Sequence, residues 1–68
     1  MTDSVRIDKW LWATRFYKTR SLAAQAVSGG RVQLNGSRVK PARALKPDDQ
    51  LEIHKDGYEY QVRVVELA

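Results

Sequence analysis

Sixty-eight residues with no cysteine and a formal net charge of +4 allow one small core and exclude disulfide staples and thiolate metal sites. A chain this short cannot build a core and also a deep cleft for catalysis, and no apolar stretch approaches membrane-spanning length. The opening Met1-Thr2-Asp3-Ser4 lacks the apolar run of a secretory signal, so a cytoplasmic protein without a membrane partner is expected.

Asp8 opens the first helical pattern and suits an N-terminal cap, being an acidic acceptor beside exposed amides. Ile7, Trp10, Leu11, Thr14 and Tyr17 fall on one side at helical spacing and carry the pattern to Tyr17. Trp12 and Phe16 fall nearly opposite, beside Lys9. They either cover the sheet or stack on unpaired bases, and packing is the favoured reading because a small core needs its aromatics. Trp10 reads as core.

Thr19 is the next cap, ahead of a helix whose expected buried stripe is Leu22, Ala23, Ala26 and Val27; the alanines permit close approach to the first helix. Gly29-Gly30 ends it. The period then changes to two. Arg31 to Leu34 alternates, Asn35-Gly36 is a strong hairpin signal, and Ser37 to Val39 returns as a brief strand. Lys40 to Lys46 reads as a basic loop and Pro47-Asp48-Asp49 as a turn. Gln50 to His54 is a strand with Leu51 and Ile53 on one face. After Asp56-Gly57, Tyr58 to Leu67 forms the last and longest strand, with Tyr58, Tyr60, Val62 and Val64 packing from one face. No repeat, low-complexity segment or linker interrupts this order. The expectation is an α+β domain over residues 5–65, two N-terminal helices packed on a small, mostly antiparallel sheet.

Charge is segregated along this order. From Lys9 to Lys46 there are nine basic residues and no acid, whereas residues 47–68 hold two basic and six acidic ones. Ordinary solvated surfaces interleave the signs, so a +9 segment points to a polyanionic partner. A basic surface kept for solubility is the plainer alternative.

Several short motifs make the pattern specific: Arg6-Ile7-Asp8-Lys9-Trp10-Leu11, Lys18-Thr19-Arg20-Ser21-Leu22-Ala23, Gly29-Gly30-Arg31-Val32, Asn35-Gly36 and Leu45-Lys46-Pro47. In order and spacing they resemble the S4 domain, an RNA-binding module with the alpha-L fold. Asp8-Lys9-Trp10-Leu11-Trp12 and Arg15-Phe16-Tyr17-Lys18-Thr19-Arg20 look most like the ribosome-associated heat-shock protein 15 family. The resemblance implies that the helices and the following hairpin present one RNA-binding surface. It also implies binding to ribosomal RNA on large ribosomal subunits left with a peptidyl-tRNA after translation fails, with tRNA itself a further partner. Arg6 and Arg20 match positions the wider family uses against RNA. Two departures stand out: Pro47-Asp48-Asp49 replaces the usual Pro-Gly-Asp turn, and members of the heat-shock family continue into a basic extension where this chain stops at Ala68. A trimmed form or a minimal member is expected on that basis.

The RNA-facing candidates are Arg6, Lys9, Arg15, Lys18, Arg20, Arg31, Arg38, Lys40 and Arg43. Guanidinium groups make bidentate contacts to phosphate, and most contacts in such complexes go to the backbone; DNA offers the same phosphates. The alternative for the helix group is pairing with the acidic tail end, and for the loop group a solvated surface. No catalytic, metal or cofactor site is expected. His54 stands without a nucleophile or ligand set, and Asp48-Asp49 suits a turn. Two other functions stay open: an accessory module of an RNA-modifying enzyme of the pseudouridine synthase type, and a protein-interaction module using the acidic last strand. A monomer is expected.

Overall fold

The computed structural model describes residues 5–65; the reading for Met1 to Ser4 lies outside them, and the last strand, expected to run to Leu67, ends at Arg63, because Val64 bonds instead to the backbone of Asp48 and Asp49. Strand β1 (Val5–Arg6) leads into helix α1 (Ile7–Ala13), followed by α2 (Arg20–Ser28). Then come β2 (Val32–Leu34), β3 (Ser37–Arg38), β4 (Ala44–Leu45), β5 (Gln50–Lys55) and β6 (Tyr58–Arg63). The strands form a four-stranded sheet in the order β3-β2-β5-β6 and a two-stranded ribbon of β1 with β4. Every pair is antiparallel. The expected α+β architecture is present, with the β1–β4 ribbon in addition. The basic loop from Lys40 to Lys46 contains β4, because Leu45 must be buried and is held opposite Val5.

Period-two burial sets the sheet register. Val32 opposes Ile53 and Leu34 opposes Leu51, so all four side chains point to one face, where they are buried. Ile7 and Leu11 of α1, Ala23, Ala26 and Val27 of α2, Leu45 and Val64 complete the core. Leu22 is not part of it and stays 45% exposed, because α2 needs only its alanine-lined stripe to approach α1. The helices cover the middle of the sheet, and β6 lies at its edge. Tyr58 and Tyr60 are therefore exposed rather than packed under a layer, although Tyr60 meets Phe16 edge-on at 5.8 Å. At six residues each, β5 and β6 are equally long.

Thr19 caps α2 as expected: its Oγ1 accepts from the Leu22 amide at 3.1 Å. Asp8 does not cap α1. The cap position is Arg6, and Asp8 sits inside the first turn, where its Oδ1 accepts from the Lys9 amide at 2.7 Å. The β1–β4 pairing keeps the preceding backbone extended, which moves the helix start back to Ile7. Helix α1 also stops four residues short of Tyr17. The Phe16 amide donates to the Leu11 carbonyl and the Arg15 amide to the Trp12 carbonyl, with Arg15 at φ 66°. This is a Schellman terminus. Helix α2 ends identically, Arg31 donating to Ala26 and Gly30 to Val27, with Gly30 at φ 79°.

Candidate nucleic-acid interface

All nine cationic candidates are exposed, and the fold gathers them in groups. The first forms around Asp8, which is 3% exposed. Arg6 Nη2 donates to its Oδ2 at 3.0 Å, and Arg20 Nη2 lies 3.7 Å from its Oδ1. One buried carboxylate thus holds two half-exposed guanidiniums, one from each side of the α1 entry. Arg43 is carried to the same place by backbone bonding. The Ile7 amide donates to the Arg43 carbonyl at 2.9 Å and the Asp8 amide to the Pro41 carbonyl at 3.4 Å. The loop of Lys40 and Arg43 therefore closes over the first turn of α1.

The second group is Arg15 and Lys18, which line a groove with Trp12, Ala13 and Tyr17. Lys9 lies three residues before Trp12 on α1, the spacing that places two side chains on one helix face. The third group sits at the other end of α2, separated from Arg20 by roughly 13 Å of helix rise. There Arg38 Nη2 donates to the Ser28 carbonyl at 2.8 Å, which caps the helix terminus. Arg31 lines a groove with Tyr17, His54 and Lys55. Tyr17 Oη is buried there without a hydrogen-bond partner among the described residues. Burial pushes the Tyr17 phenol above its usual value, with Lys55 and Arg31 working against that rise.

Among the described residues the acidic segment forms no ion pair with these cations. Three of its carboxylates pair with side chains of their own region, Asp48 with Arg63 at 3.9 Å, Asp56 with Lys55 at 3.2 Å and Glu59 with His54 at 4.0 Å, while Asp49 accepts from the Asn35 side chain and the Lys46 backbone amide. Among the described residues, the only carboxylate paired with any of the nine is Asp8. No group of three or more His, Cys, Asp or Glu side chains among the described residues is placed to hold a metal ion, and no helix among them is long and apolar enough to cross a membrane.

Two features were not legible in advance. Asp8 reads as a cap because acidic residues commonly begin helices; Arg6 two residues before it is the only local sign of the clamp, and Arg20 is distant in sequence. Trp12 is 44% exposed and is not packed on the core, contrary to the packing reading. Phe16 follows that reading, stacked on Trp10 at 6.4 Å. Because α1 ends at Ala13, the two aromatics do not share a helix face.

Two short helices and a following hairpin, with cations around both helix entries and a segregated acidic edge, define a small α+β module built to present positive charge. The chain belongs to the S4 domain family, whose model matches residues 5–51. It is 46% identical over 67 residues to a heat shock protein 15 homolog of Aeromonas salmonicida, covering 98% of this chain and 51% of that protein. It is 35% identical over 63 residues to the RQC P-site tRNA stabilizing factor of Bacillus subtilis, covering 93% and 73%. The solved structure of Vibrio cholerae heat shock protein 15, described as trimeric, superposes with a TM-score of 0.92 at 43% identity, covering 96% of this chain and 66% of that one. The chain spans about half the length of the heat shock protein 15 relatives it matches among curated proteins.

Proposed function

We propose that residues 5–65 form a non-catalytic module that binds structured RNA, with ribosomal RNA of the large subunit as its target. The observation that carries this reading is the acid-free span from Lys9 to Lys46, whose exposed cations form no ion pair with the carboxylates at positions 48–59. Phosphate contacts supply most of the affinity, and the shape of the RNA supplies selectivity. The names of the relatives, a heat shock protein and a P-site tRNA stabilizing factor, support a role on subunits carrying a stalled peptidyl-tRNA, in rescue or recycling under stress. That role places the protein in the cytoplasm. The proposed form is a monomer, although the Vibrio relative was solved as a trimer.

The contacts assigned to RNA are those of Arg6, Arg20 and Arg43 at the α1 entry, Lys9, Arg15 and Lys18 along α1 and the turn after it, and Arg31, Arg38 and Lys40 flanking them. Substitutions must respect the clamp. Removing Arg6 and Arg20 together strands a buried carboxylate, which costs stability by itself. Arg20→Gln with Arg43→Gln leaves Arg6 on Asp8 at 3.0 Å. That double variant should keep its thermal midpoint and bind large ribosomal subunits at least about tenfold more weakly. Unchanged affinity would refute the assignment of this face.

A further inference from the structure

The two tryptophans are placed differently. Trp10 stacks on Phe16 at 6.4 Å with 21° between the rings, and Phe16 in turn meets Tyr60. Trp12 makes no aromatic contact among the described residues, lies outside the group packed on the core and is 44% exposed. The groove it lines contains Ala13, Arg15, Tyr17 and Lys18 and no carboxylate. The groove beside the β5–β6 turn differs, because Asp56 and Glu59 line it and take up Lys55 and His54.

The backbone also fixes where the cations stand. Arg15 occupies the left-handed position at the end of α1, held by the bond from its amide to the Trp12 carbonyl at 3.0 Å. A side chain other than glycine in that conformation is strained, and such strain concentrates where function needs a particular direction.

We propose that Trp12 is a stacking platform for one unpaired nucleobase of a bound RNA, with Arg15 and Lys18 meeting the phosphates on either side of that nucleotide. The inference rests on the RNA-binding reading above and makes it specific: the partner is not a uniform duplex but RNA with a bulged, looped or terminal unpaired base. Stacking tolerates any base, since each offers a π-face, while the two cations and the missing carboxylate favour a nucleotide over an apolar peptide.

The test compares two RNA probes, a fully paired hairpin stem and the same stem with a single-nucleotide bulge, against the wild-type chain, Trp12→Ala and Trp12→Phe. Trp12→Ala should bind the bulged probe about 5- to 150-fold more weakly, as removal of one stacked base implies. It should bind the paired probe within about twofold of wild type, and Trp12→Phe should retain most of the bulged-probe affinity. Equal affinities of wild type and Trp12→Ala for both probes, or equal losses on both, would overturn the stacking site while leaving RNA binding intact. Failure of the wild-type chain to bind either probe would overturn both readings. Concentration-dependent self-association that Trp12→Ala abolishes would assign the indole to a second copy of the chain and also overturn the proposal.

Discussion

The two helices of this domain end in the same hydrogen-bonded motif, yet one carries glycine at its left-handed position and the other carries Arg15. Each terminus is therefore an internal control for the other. A β-carbon in the left-handed region costs about 1–2 kcal/mol. Arg15→Gly removes that cost but loosens the unfolded chain by about 0.5–1 kcal/mol. It also removes a cation beside the C-terminal end of a helix dipole, a loss of about 0.3 kcal/mol for an exposed side chain. The balance is a gain of about 0.5 kcal/mol, or roughly 2–4 °C in thermal midpoint for a domain of this size. The gain should grow with salt, which screens the dipole contribution. Gly30→Ala is the reverse case. Its φ of 79° would be imposed on a side chain, and the new β-carbon would meet Arg38 Nε at 3.0 Å, so a loss of about 0.5–1 kcal/mol is expected. Thermal and urea unfolding of the two variants would read both signs. In the RNA-binding assay Arg15→Gly should be weaker despite its higher midpoint. A lower midpoint for Arg15→Gly would refute the reasoning, because the strain it relies on would not be there.

Asp8→Asn should weaken RNA binding by about threefold to tenfold although it removes a negative charge from a face that binds a polyanion. Releasing two arginines from a fixed geometry costs about 0.5–1.5 kcal/mol each on binding, which outweighs the relief of repulsion at a screened surface; tighter binding would show that Asp8 merely competes with phosphate. Tyr17→Phe should stabilise the fold by about 1 kcal/mol in urea unfolding, since the buried hydroxyl has no hydrogen-bond partner among the described residues. The same phenol makes stability depend on alkaline pH. Its folded-state value is raised, so the folded chain holds the proton more tightly. Stability is then complete below the unfolded value near 10 and declines as pH rises past it. Tyr17→Phe should remove that part of the decline, and an identical alkaline profile for the variant would count against it.

Much of the fold was legible because local signals agreed with the packing. Thr19, the alanine stripe, Asn35-Gly36 and the alternation through Leu51 and Ile53 each specify one local geometry, and none needs a distant partner to do so. The errors fall where long-range pairing decides. Ala44-Leu45 is too short to read as a strand until Val5 and Arg6 pair with it. The end of α1 at Ala13 was hidden because arginine, not glycine, occupies the left-handed position, so the apolar spacing through Tyr17 looked helical. At the candidate site the residue types were readable but their grouping was not. Acid-free sequence marks the cations, whereas the convergence of Arg6 and Arg20 on Asp8 depends on how the helices meet. Trp12 was misjudged because composition alone cannot show that Trp10 and Phe16 suffice for packing.

Binding of the wild-type chain to large-subunit ribosomal RNA as a function of salt tests the electrostatic core of this reading most directly. With about five phosphates neutralised, the logarithm of affinity should fall against the logarithm of salt concentration with a slope near −3.5 to −4.5. A response that stays flat across that range would mean the exposed cations of α1, α2 and their loops do not meet phosphate.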